Sequence, residues 1–424
     1  MVLSALLPIA CEHKLKLIYM CRTHVQSDRV ILELKKIHDS SPNSNYSVSG
    51  LSISGRNEMC LNSALLRAKV NPTEAMAMYK NLRVTDTCVY YRNVNKSTKG
   101  FKGLELFYFT KLTDAEELIA FCKEKRYCPY FLSKSLLKDM PVVVCNFQWL
   151  FNPDIRFGFL KMLGVDLSEC IIVVDEAHNI VDIATEVNSA KLTPSFLTKS
   201  LNDLQQSGVN EKYAQFVRFI RNHLNQKNRD LSFGEKKIDA TKFLTIICKK
   251  LKLSNISEFK TFISQLEEDY KYKVEQNDNV DNSKTTIRYL VKFWQKWCKN
   301  HNSEKFFFCY SIKTSGRRKF IALEIVALDP RDITLPLFRN NYTCVNLSGT
   351  VNPKVFNHLT GLHWKKKGYK EIIAESPFKK SNILALLTEG VDTGRDNRKP
   401  FMYEKIIHKI KEVITCTPEN IGIF

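Results

Sequence analysis

The sequence has 424 residues, of which 44% are hydrophobic and 25% are charged. This length allows two or three domains with large cores, and this composition excludes a chain that is disordered throughout. Lysine and arginine total 64 against 44 aspartates and glutamates, a formal net charge of +20. Such an excess is typical of proteins that bind a polyanion such as nucleic acid, although it also fits a lysine-rich surface exposed to water.

The cysteines and the apolar segments bear on the cellular compartment. The 13 cysteines are scattered with no Cys-x-x-Cys pair, which indicates an intracellular, reduced protein in which some thiols can bind metal. No stretch approaches the roughly 20 apolar residues of a membrane span. The apolar residues 1–10 lack the basic start of a signal peptide. We therefore expect an intracellular protein without a membrane segment, nuclear in a eukaryote or cytoplasmic in a prokaryote.

The first 40 residues predict one layer of an α/β fold. Apolar spacing indicates a helix over residues 1–12, a strand over residues 15–20 and, after a loop, a second helix to about residue 37. The loop carries polar side chains that suit phosphate contacts and that could instead cap the second helix. These side chains are Arg22, Thr23, His24 and Gln26.

Residues 55–135 separate these elements from the next predicted buried strand at residues 141–145. This insertion contains Cys60, Cys88, Cys122 and Cys128. Cys122 lies in a stretch with the spacing of an apolar helix face, and a free cysteine is commonly just a small buried hydrophobe.

The most informative stretch is Ile-Ile-Val-Val-Asp-Glu-Ala-His-Asn at residues 171–179. Four apolar β-formers bounded by polar residues are typical of a buried parallel strand, and ligands of such sheets bind beyond the carboxyl ends of the strands. Asp175 and Glu176 are expected at that end. In nucleoside triphosphatases an acidic residue there holds Mg²⁺, and a neighbouring carboxylate can orient the attacking water. The alternative is a strand that leads into a helix N-terminus, where acidic residues suit the dipole.

Residues 192–335 are predicted to be mainly helical. Apolar residues recur at helical spacing over residues 213–224, 259–270 and 286–299. The third of these helices carries a cation every four residues on another face, which favours a solvated surface and leaves DNA contact as the alternative. The three cations are Arg288, Lys292 and Lys296.

A hairpin and a further strand follow. Residues 305–312 and 319–328 flank a polar turn and predict a β-hairpin. Residues 342–347 are predicted to form a buried strand, which leads into Ser348, Gly349 and Thr350, by themselves only a turn. An amphipathic helix is predicted over residues 401–414, and residues 421–424 are expected to begin another strand.

Taken in order, these motifs resemble the XPD/DinG branch of superfamily 2, DEAH-box DNA helicases. Asp-Glu-Ala-His with the extension Ala-His-Asn-Ile resembles the Walker B box, Arg-Thr-His-x-Gln resembles motif Ia, and Leu-Ser-Gly-Thr resembles motif III. The resemblance implies an α/β fold, namely a RecA-like parallel-sheet helicase domain with an inserted iron–sulfur-type domain and an inserted, mostly helical Arch-like domain.

The resemblance also implies roles for individual residues. Asp175 would bind the Mg²⁺ that accompanies ATP, Glu176 would activate water, and His178 would communicate with motif III. The nucleotide-coupling residues of motif III would be Ser348, Gly349 and Thr350. The residues that hold the phosphates of single-stranded DNA would be Arg22, Thr23, His24 and Gln26.

The cysteine segments resemble those that bind a 4Fe–4S cluster in XPD-type helicases, and such clusters are usually held by four thiolates. The ligands implied by the resemblance are Cys60, Cys88 and Cys128. The fourth position falls near Met78 and Tyr79, neither of which is a cysteine, and Cys122 is the substitute that the sequence offers.

The resemblance further implies a domain order and a truncation. The chain contains no Gly-x-x-x-x-Gly-Lys-[Ser/Thr] loop to cradle phosphates, nor the family's C-terminal motifs V and VI, so we expect a fragment that is inactive by itself. The expected parts are the first part of RecA-like domain 1 (1–54), the iron–sulfur-type insertion (55–135), RecA-like domain 1 with the Asp-Glu-Ala-His box (136–191), the Arch-like insertion (192–335), the end of RecA-like domain 1 with motif III (336–385) and the start of a truncated RecA-like domain 2 (386–424).

The function implied is ATP-dependent, 5′-to-3′ movement on single-stranded or forked DNA in repair or transcription, with protein partners at the Arch-like region. The alternative is a catalytically inactive DNA-binding or scaffold protein derived from such a helicase. The absence of the phosphate-binding loop, of the C-terminal motifs and of the fourth cysteine favours that alternative.

Overall fold

A computed structural model gives the fold. It forms two compact units, Met1–Tyr369 and Lys370–Phe424. The strand expected at residues 421–424 lies outside the residues that the structure describes. The described residues are 2–40, 49–63, 65, 78–79, 81–97, 112–227, 234–275, 286–315, 318–364, 368–375, 388–394 and 397–416.

The described helices and strands follow the periodicity of the sequence. The helices are α1 Val2–Glu12, α2 His24–Ser40, α3 Val89–Ser97, α4 Ala115–Lys125, α5 Pro129–Leu136, α6 Gln148–Phe151, α7 Pro153–Leu163, α8 Ile180–Val187, α9 Pro194–Ser207, α10 Glu211–Lys227, α11 Ala240–Leu251, α12 Ile256–Glu275, α13 Thr286–Asn300, α14 Arg331–Asn340, α15 Pro353–Thr360 and α16 Pro400–Cys416. The strands are β1 Lys16–Cys21, β2 Gly50–Ser52, β3 Leu112–Thr113, β4 Val142–Asn146, β5 Cys170–Val174, β6 Ala190–Leu192, β7 Glu235–Lys237, β8 Phe306–Ser315, β9 Arg318–Ala327 and β10 Thr343–Asn346.

The main sheet has six strands in the order β10-β5-β1-β4-β2-β3, and every pairing in it is parallel. Helices cover both of its faces, and the strands β1, β4 and β5 are accordingly buried and mainly apolar, as expected for an α/β domain. In β1, Leu17 and Tyr19 face a layer that includes residues of α1 and α2. Ile18 and Met20 face the opposite layer. This is the RecA-like α/β domain that the sequence predicts, with β1 and β4 at its centre.

Residues 190–327 build a second core beside this sheet. Helices α9 to α13 pack on an antiparallel sheet of four strands in the order β6-β9-β8-β7. The hairpin predicted around residues 314–318 is present, because β8 and β9 pair along their full length. Trp294 and Trp297 are fully buried at the centre of this core. The region is therefore mostly helical, as predicted, and the predicted hairpin is extended by β6 and β7, which the sequence did not indicate.

The cationic stripe of α13 lies partly at the contact with the domain of the main sheet, while Arg288 is exposed as predicted. Lys292 forms an ion pair with Asp154 of α7, with Nζ 2.7 Å from Oδ1. Lys296 donates to the backbone carbonyl and to the side-chain oxygen of Asn188, just beyond α8. Two of the three predicted cations thus attach the second core to the domain of the main sheet. No helix in the described part of the chain is long and apolar enough to cross a membrane.

Candidate nucleotide and nucleic-acid site

The predicted site residues of the main sheet lie at the carboxyl ends of its strands. Asp175 follows β5 directly, and its backbone N–H donates to the carbonyl of Met20 in β1 at 3.0 Å. Arg22 follows β1, and Ser348 comes two residues after β10. Because β10, β5 and β1 are adjacent and parallel, these segments meet at one edge of the sheet.

Asp175 and Glu176 form the acidic part of this edge. Asp175 Oδ1 accepts a hydrogen bond from the backbone N–H of Glu176 at 3.0 Å. Burial raises the pKa of the Asp175 carboxyl, and the neighbouring Glu176 carboxylate acts in the same direction, while Arg29 acts against them. Glu176 has φ 51°, in the left-handed region that residues with a Cβ rarely adopt. Such strain is concentrated at functional sites in proteins.

A magnesium ion suits this acidic edge. No group of three or more His, Cys, Asp and Glu side chains in the described part of the chain is arranged to hold a metal ion alone. Magnesium at a nucleotide site needs only one or two protein carboxylates, because phosphate oxygens and water supply its other ligands. A cation beside Asp175 would also offset the burial that disfavours its charged form. The oxygen donors present therefore fit Mg²⁺ bound together with a nucleotide.

His178 joins the acidic box to the predicted motif III. Its Nδ1 lies 3.1 Å from Ser348 Oγ, 3.4 Å from Thr350 Oγ1 and 3.3 Å from Glu176 Oε2. The side-chain nitrogen Nδ2 of Asn179 lies 3.1 Å from His178 Nε2, and this nitrogen can only donate. In the neutral ring, Nε2 is therefore the acceptor and Nδ1 carries the proton. The imidazole thus donates towards a hydroxyl or the Glu176 carboxylate.

Backbone hydrogen bonds hold the two segments in register. Ala177 N–H donates to the carbonyl of Leu347, and Leu347 N–H donates to the carbonyl of Val174, each at 2.8 Å. Gly349 lies between the two hydroxyl residues, and a Cβ placed on it would meet no atom within 4 Å. The space in front of this turn is therefore open.

The predicted motif Ia begins helix α2 instead of forming a longer loop. Thr23 N–H donates to Gln26 Oε1 at 3.0 Å, and Gln26 N–H donates to Thr23 Oγ1 at 3.3 Å. This reciprocal pair is a capping box, the alternative that the sequence left open. Arg22 is exposed, and its guanidinium makes no hydrogen bond or ion pair with any residue that the structure describes. Of the four predicted DNA-binding side chains, that of Arg22 is therefore the one available to a phosphate.

His24 is occupied on both sides of its ring. Nδ1 lies 2.9 Å from Ser54 Oγ, and Nε2 lies 3.0 Å from Glu58 Oε1. Because a carboxylate only accepts, Nε2 donates to Glu58 and Nδ1 accepts from Ser54 in the neutral ring. Glu58 is held in turn by the N–H of Gly55 at 2.8 Å. His24 therefore ties the start of α2 to the turn that precedes Cys60.

The three cysteines predicted as metal ligands line one small cavity of about 30 Å³. Its wall also contains Tyr79, near which the sequence placed the missing fourth ligand. The Tyr79 hydroxyl donates a hydrogen bond to Cys60 Sγ, and burial raises the pKa of the Cys60 thiol. Cys122 is fully buried in α4 and is not among the described residues of this wall. The cysteines at the cavity are Cys60, Cys88 and Cys128.

These donors do not fit the expected 4Fe–4S cluster. Iron–sulfur clusters are usually held by four thiolates, and the described wall offers three thiols and a phenol. The alternative ligand Cys122 is likewise absent from the described wall. The described donor set is therefore one thiolate short of the set that the resemblance implies.

Comparisons with known proteins agree with the arrangement of motifs. The family model DEAD_2 matches residues 19–197. Regulator of telomere elongation helicase 1 from Homo sapiens is 28% identical over 200 residues, which cover 47% of this chain and 15% of that protein. The Fanconi anemia group J protein homolog from Gallus gallus is 27% identical over 189 residues, 45% of this chain and 14% of that protein. Over somewhat less than half of its length, these matches support an XPD/DinG-type superfamily 2 helicase family for this chain.

The XPD/DinG-type match lies on the part of the chain that holds the Asp-Glu-Ala-His box and the cysteines. The matched stretch spans less than one fifth of the length of either relative. A solved structure named "Truncated XPD" is 16% identical, covers 88% of this chain and 91% of that chain, and has a TM-score of 0.49.

The structure adds residues to this XPD/DinG-type site that sequence analysis missed. Arg29, which lies in α2, acts to lower the pKa of the Asp175 carboxyl. Glu58 and Ser54 engage His24. Tyr79 contacts Cys60. Tyr79 had a signal in the sequence, because it stands where the family pattern calls for a thiolate. The contacts of Arg29, Ser54 and Glu58 had none, because they depend on the order of strands in the sheet.

Proposed function

We propose that this chain forms part of an ATP-dependent DNA helicase that moves 5′ to 3′ on single-stranded or forked DNA in repair or transcription. The observation that carries the proposal is the contact between His178 of the Asp-Glu-Ala-His box and Ser348 of the adjacent strand end. Such a contact provides a physical route by which the state of a nucleotide at one strand end reaches the next. The name of the relative regulator of telomere elongation helicase 1 supports the same class.

In this proposal the acidic edge serves nucleotide hydrolysis. When bound, Mg²⁺ supplies charge neutralisation for the phosphates of ATP. Asp175 holds the ion, and Glu176 positions the attacking water and receives its proton. His178 Nδ1 lies 3.3 Å from the Glu176 carboxylate, so a change in the charge of that carboxylate alters the hydrogen bonding of the imidazole. The hydrogen bonds of the same nitrogen with Ser348 and Thr350 change in turn. The mechanism depends on positioning and charge stabilisation, so missing phosphate-binding groups prevent turnover.

The DNA strand runs along the carboxyl edge of the main sheet in this proposal. Arg22 contacts a phosphate, and Thr23 and Gln26 hold the backbone that presents it. His24 positions the same segment through Ser54 and Glu58. The net charge of +20 favours association with the polyanion. We assign the Arch-like role and protein partners to residues 192–335, and nuclear localisation follows the eukaryotic relatives.

The test compares Glu176→Gln with Glu186→Gln, which makes the same chemical change at an exposed position of α8. The gene is first sequenced upstream of Met1, and ATP hydrolysis is then measured for the 424-residue chain and for the full-length product, with and without single-stranded DNA. We expect an in-frame Gly-Lys-Thr loop upstream and no turnover by the 424 residues alone. The full-length product should hydrolyse ATP in response to DNA, and only Glu176→Gln should abolish this activity.

The alternative is a catalytically inactive DNA-binding or scaffold protein, which the lack of a phosphate-binding loop within the 424 residues favours. It predicts salt-sensitive DNA binding without hydrolysis by any form of the protein. A full-length product that neither binds DNA nor hydrolyses ATP would refute both functions.

A further inference from the structure

The cysteine segments and the helices beside them are organised around an arginine. The guanidinium of Arg56 lies over three aromatic rings, at 5.4 Å, 4.8 Å and 5.7 Å from the centroids of Tyr79, Tyr130 and Phe131. We call these segments the cysteine lobe, which comprises the described residues in the ranges 55–63, 78–79, 81–97 and 115–136. The centre of the lobe is therefore occupied by a cation enclosed by rings.

A second arginine extends the same arrangement. Arg83 lies 5.7 Å from the centroid of Tyr91 and 5.2 Å from that of Phe131. Tyr91 and Phe131 pack edge to face at 4.7 Å, and Lys134 lies 4.9 Å from the Tyr130 ring. A cation over an aromatic face and rings in edge-to-face contact both stabilise a core without any metal. The arginine–aromatic cage is formed by Arg56, Arg83, Tyr79, Tyr91, Tyr130 and Phe131.

The thiols are used as hydrogen-bond acceptors inside this lobe. Cys60 Sγ accepts from the Tyr79 hydroxyl and, at 3.4 Å, from the backbone N–H of Asn62. Cys88 Sγ lies 3.9 Å from the side-chain nitrogen of Asn62, which can only donate. These hydrogen bonds connect the segments that contain Cys60, Tyr79 and Cys88. In a cluster-binding protein, the cluster would hold such segments together.

We propose that the arginine–aromatic cage holds the cysteine lobe together and that the lobe takes no 4Fe–4S cluster. Tyr79 stands where the family pattern calls for the fourth thiolate and donates a hydrogen bond to Cys60, so the described wall offers three thiols and a phenol beside the guanidinium of Arg56. The lobe consequently folds without iron. Its position beside the predicted DNA contacts, through Glu58 and His24, is independent of iron supply and of chelators.

The first measurement is the iron and acid-labile sulfide content of the 424-residue chain, purified without oxygen from iron-replete cells. We expect both to be far below one equivalent of cluster. The rate of proteolysis within the lobe and the affinity for single-stranded DNA should be unchanged by an iron chelator. Iron that a chelator removes without altering either quantity is adventitious and agrees with the cage.

Three variants distinguish a cage from a cluster. Arg56→Met should raise the rate of cleavage in the lobe by roughly tenfold or more, because proteolysis follows the population of the open form. Cys88→Ser should leave that rate within about twofold, because a serine can still accept the hydrogen bond of Asn62. Arg92→Met is the matched control, since Arg92 belongs to the same lobe and lies over none of the described rings.

Two results would overturn the proposal. One is a full complement of iron and sulfide that Cys88→Ser removes together with the resistance of the lobe to protease. The other is an iron-free chain in which Arg56→Met is cleaved no faster than Arg92→Met. The first outcome would restore the cluster, and the second would show that the cage is not what holds the lobe.

Discussion

Arg22 offers a quantitative test of the proposed DNA track. Its side chain is exposed at the end of β1, and only its backbone N–H is engaged, by Gln26 Oε1 at 3.2 Å. Arg22→Gln therefore removes one positive charge and leaves the capping box of α2 in place. We expect the thermal midpoint of unfolding to be unchanged, so that any effect on DNA binding reports the lost phosphate contact.

The magnitude follows from counterion release. Each phosphate contact with a single strand contributes about 0.7 to the slope of log K against log salt concentration. Loss of one contact should therefore reduce that slope by about 0.7 and weaken binding about fourfold at roughly 0.15 M salt. The assay is fluorescence anisotropy with labelled single strands of different sequence, titrated at several salt concentrations. The loss should be the same for every sequence, because phosphate contacts carry no sequence information.

Arg339→Gln is the matched control for this experiment. Arg339 is exposed near the end of α14, four residues before β10 begins, and so it lies at the opposite edge of the main sheet. The substitution Arg339→Gln should leave unchanged both the slope of log K against log salt concentration and the affinity for single-stranded DNA. The proposed track is refuted if Arg22→Gln keeps the slope of the parent chain, or if Arg339→Gln lowers it equally.

Further predictions concern stability and coupling. Lys16 donates to three backbone carbonyls just beyond α5, so Lys16→Met should lower the free energy of unfolding by about 1–3 kcal/mol in urea titrations. Burial lowers the pKa of Lys16 to about 8, from an ordinary value of 10.5. Between these values the unfolded chain binds more protons, so the stability of the parent chain relative to Lys16→Met should rise with pH, and a flat difference would contradict the shift. Lys292→Met should cost less than about 1 kcal/mol because its pair is exposed, whereas Lys296→Met should cost about 1–3 kcal/mol; equal losses would argue against the packing of α13. In a double-mutant cycle of thermal unfolding, His178→Ala and Ser348→Ala should couple by about 0.5–1.5 kcal/mol, and additive losses would show that the contact carries no energy.

Several features could be predicted without the structure because the signals for them are local. The apolar run of β5 and the polar residues after it predict a buried parallel strand with carboxylates at its end, and Asp175 lies there. Helical spacing likewise predicts α13 almost to the residue. Both depend on the fact that a helix or strand buries one periodic set of neighbouring side chains.

The partners of individual side chains required the tertiary structure. Lys292 and Asp154 are 138 positions apart, and His24 and Ser54 are 30 apart. From the sequence, the cations of α13 and the histidine of motif Ia could each have bound DNA. In the structure, Lys292 and His24 contact other residues of the same chain. Nothing in local periodicity specifies such pairs, because they depend on which strands and helices become neighbours.

The sequence by itself determined the class of the domain, the order of its motifs and the strand end at which Asp175 and Glu176 lie. Periodic burial and turn chemistry act between near neighbours in the chain, so they can be recognised there. Only the tertiary structure decided that Arg22 remains open, that His178 meets Ser348, and that Tyr79 and Arg56 line the cysteine cavity. These outcomes arise from packing between distant segments, where a single side chain settles whether a site is open or filled.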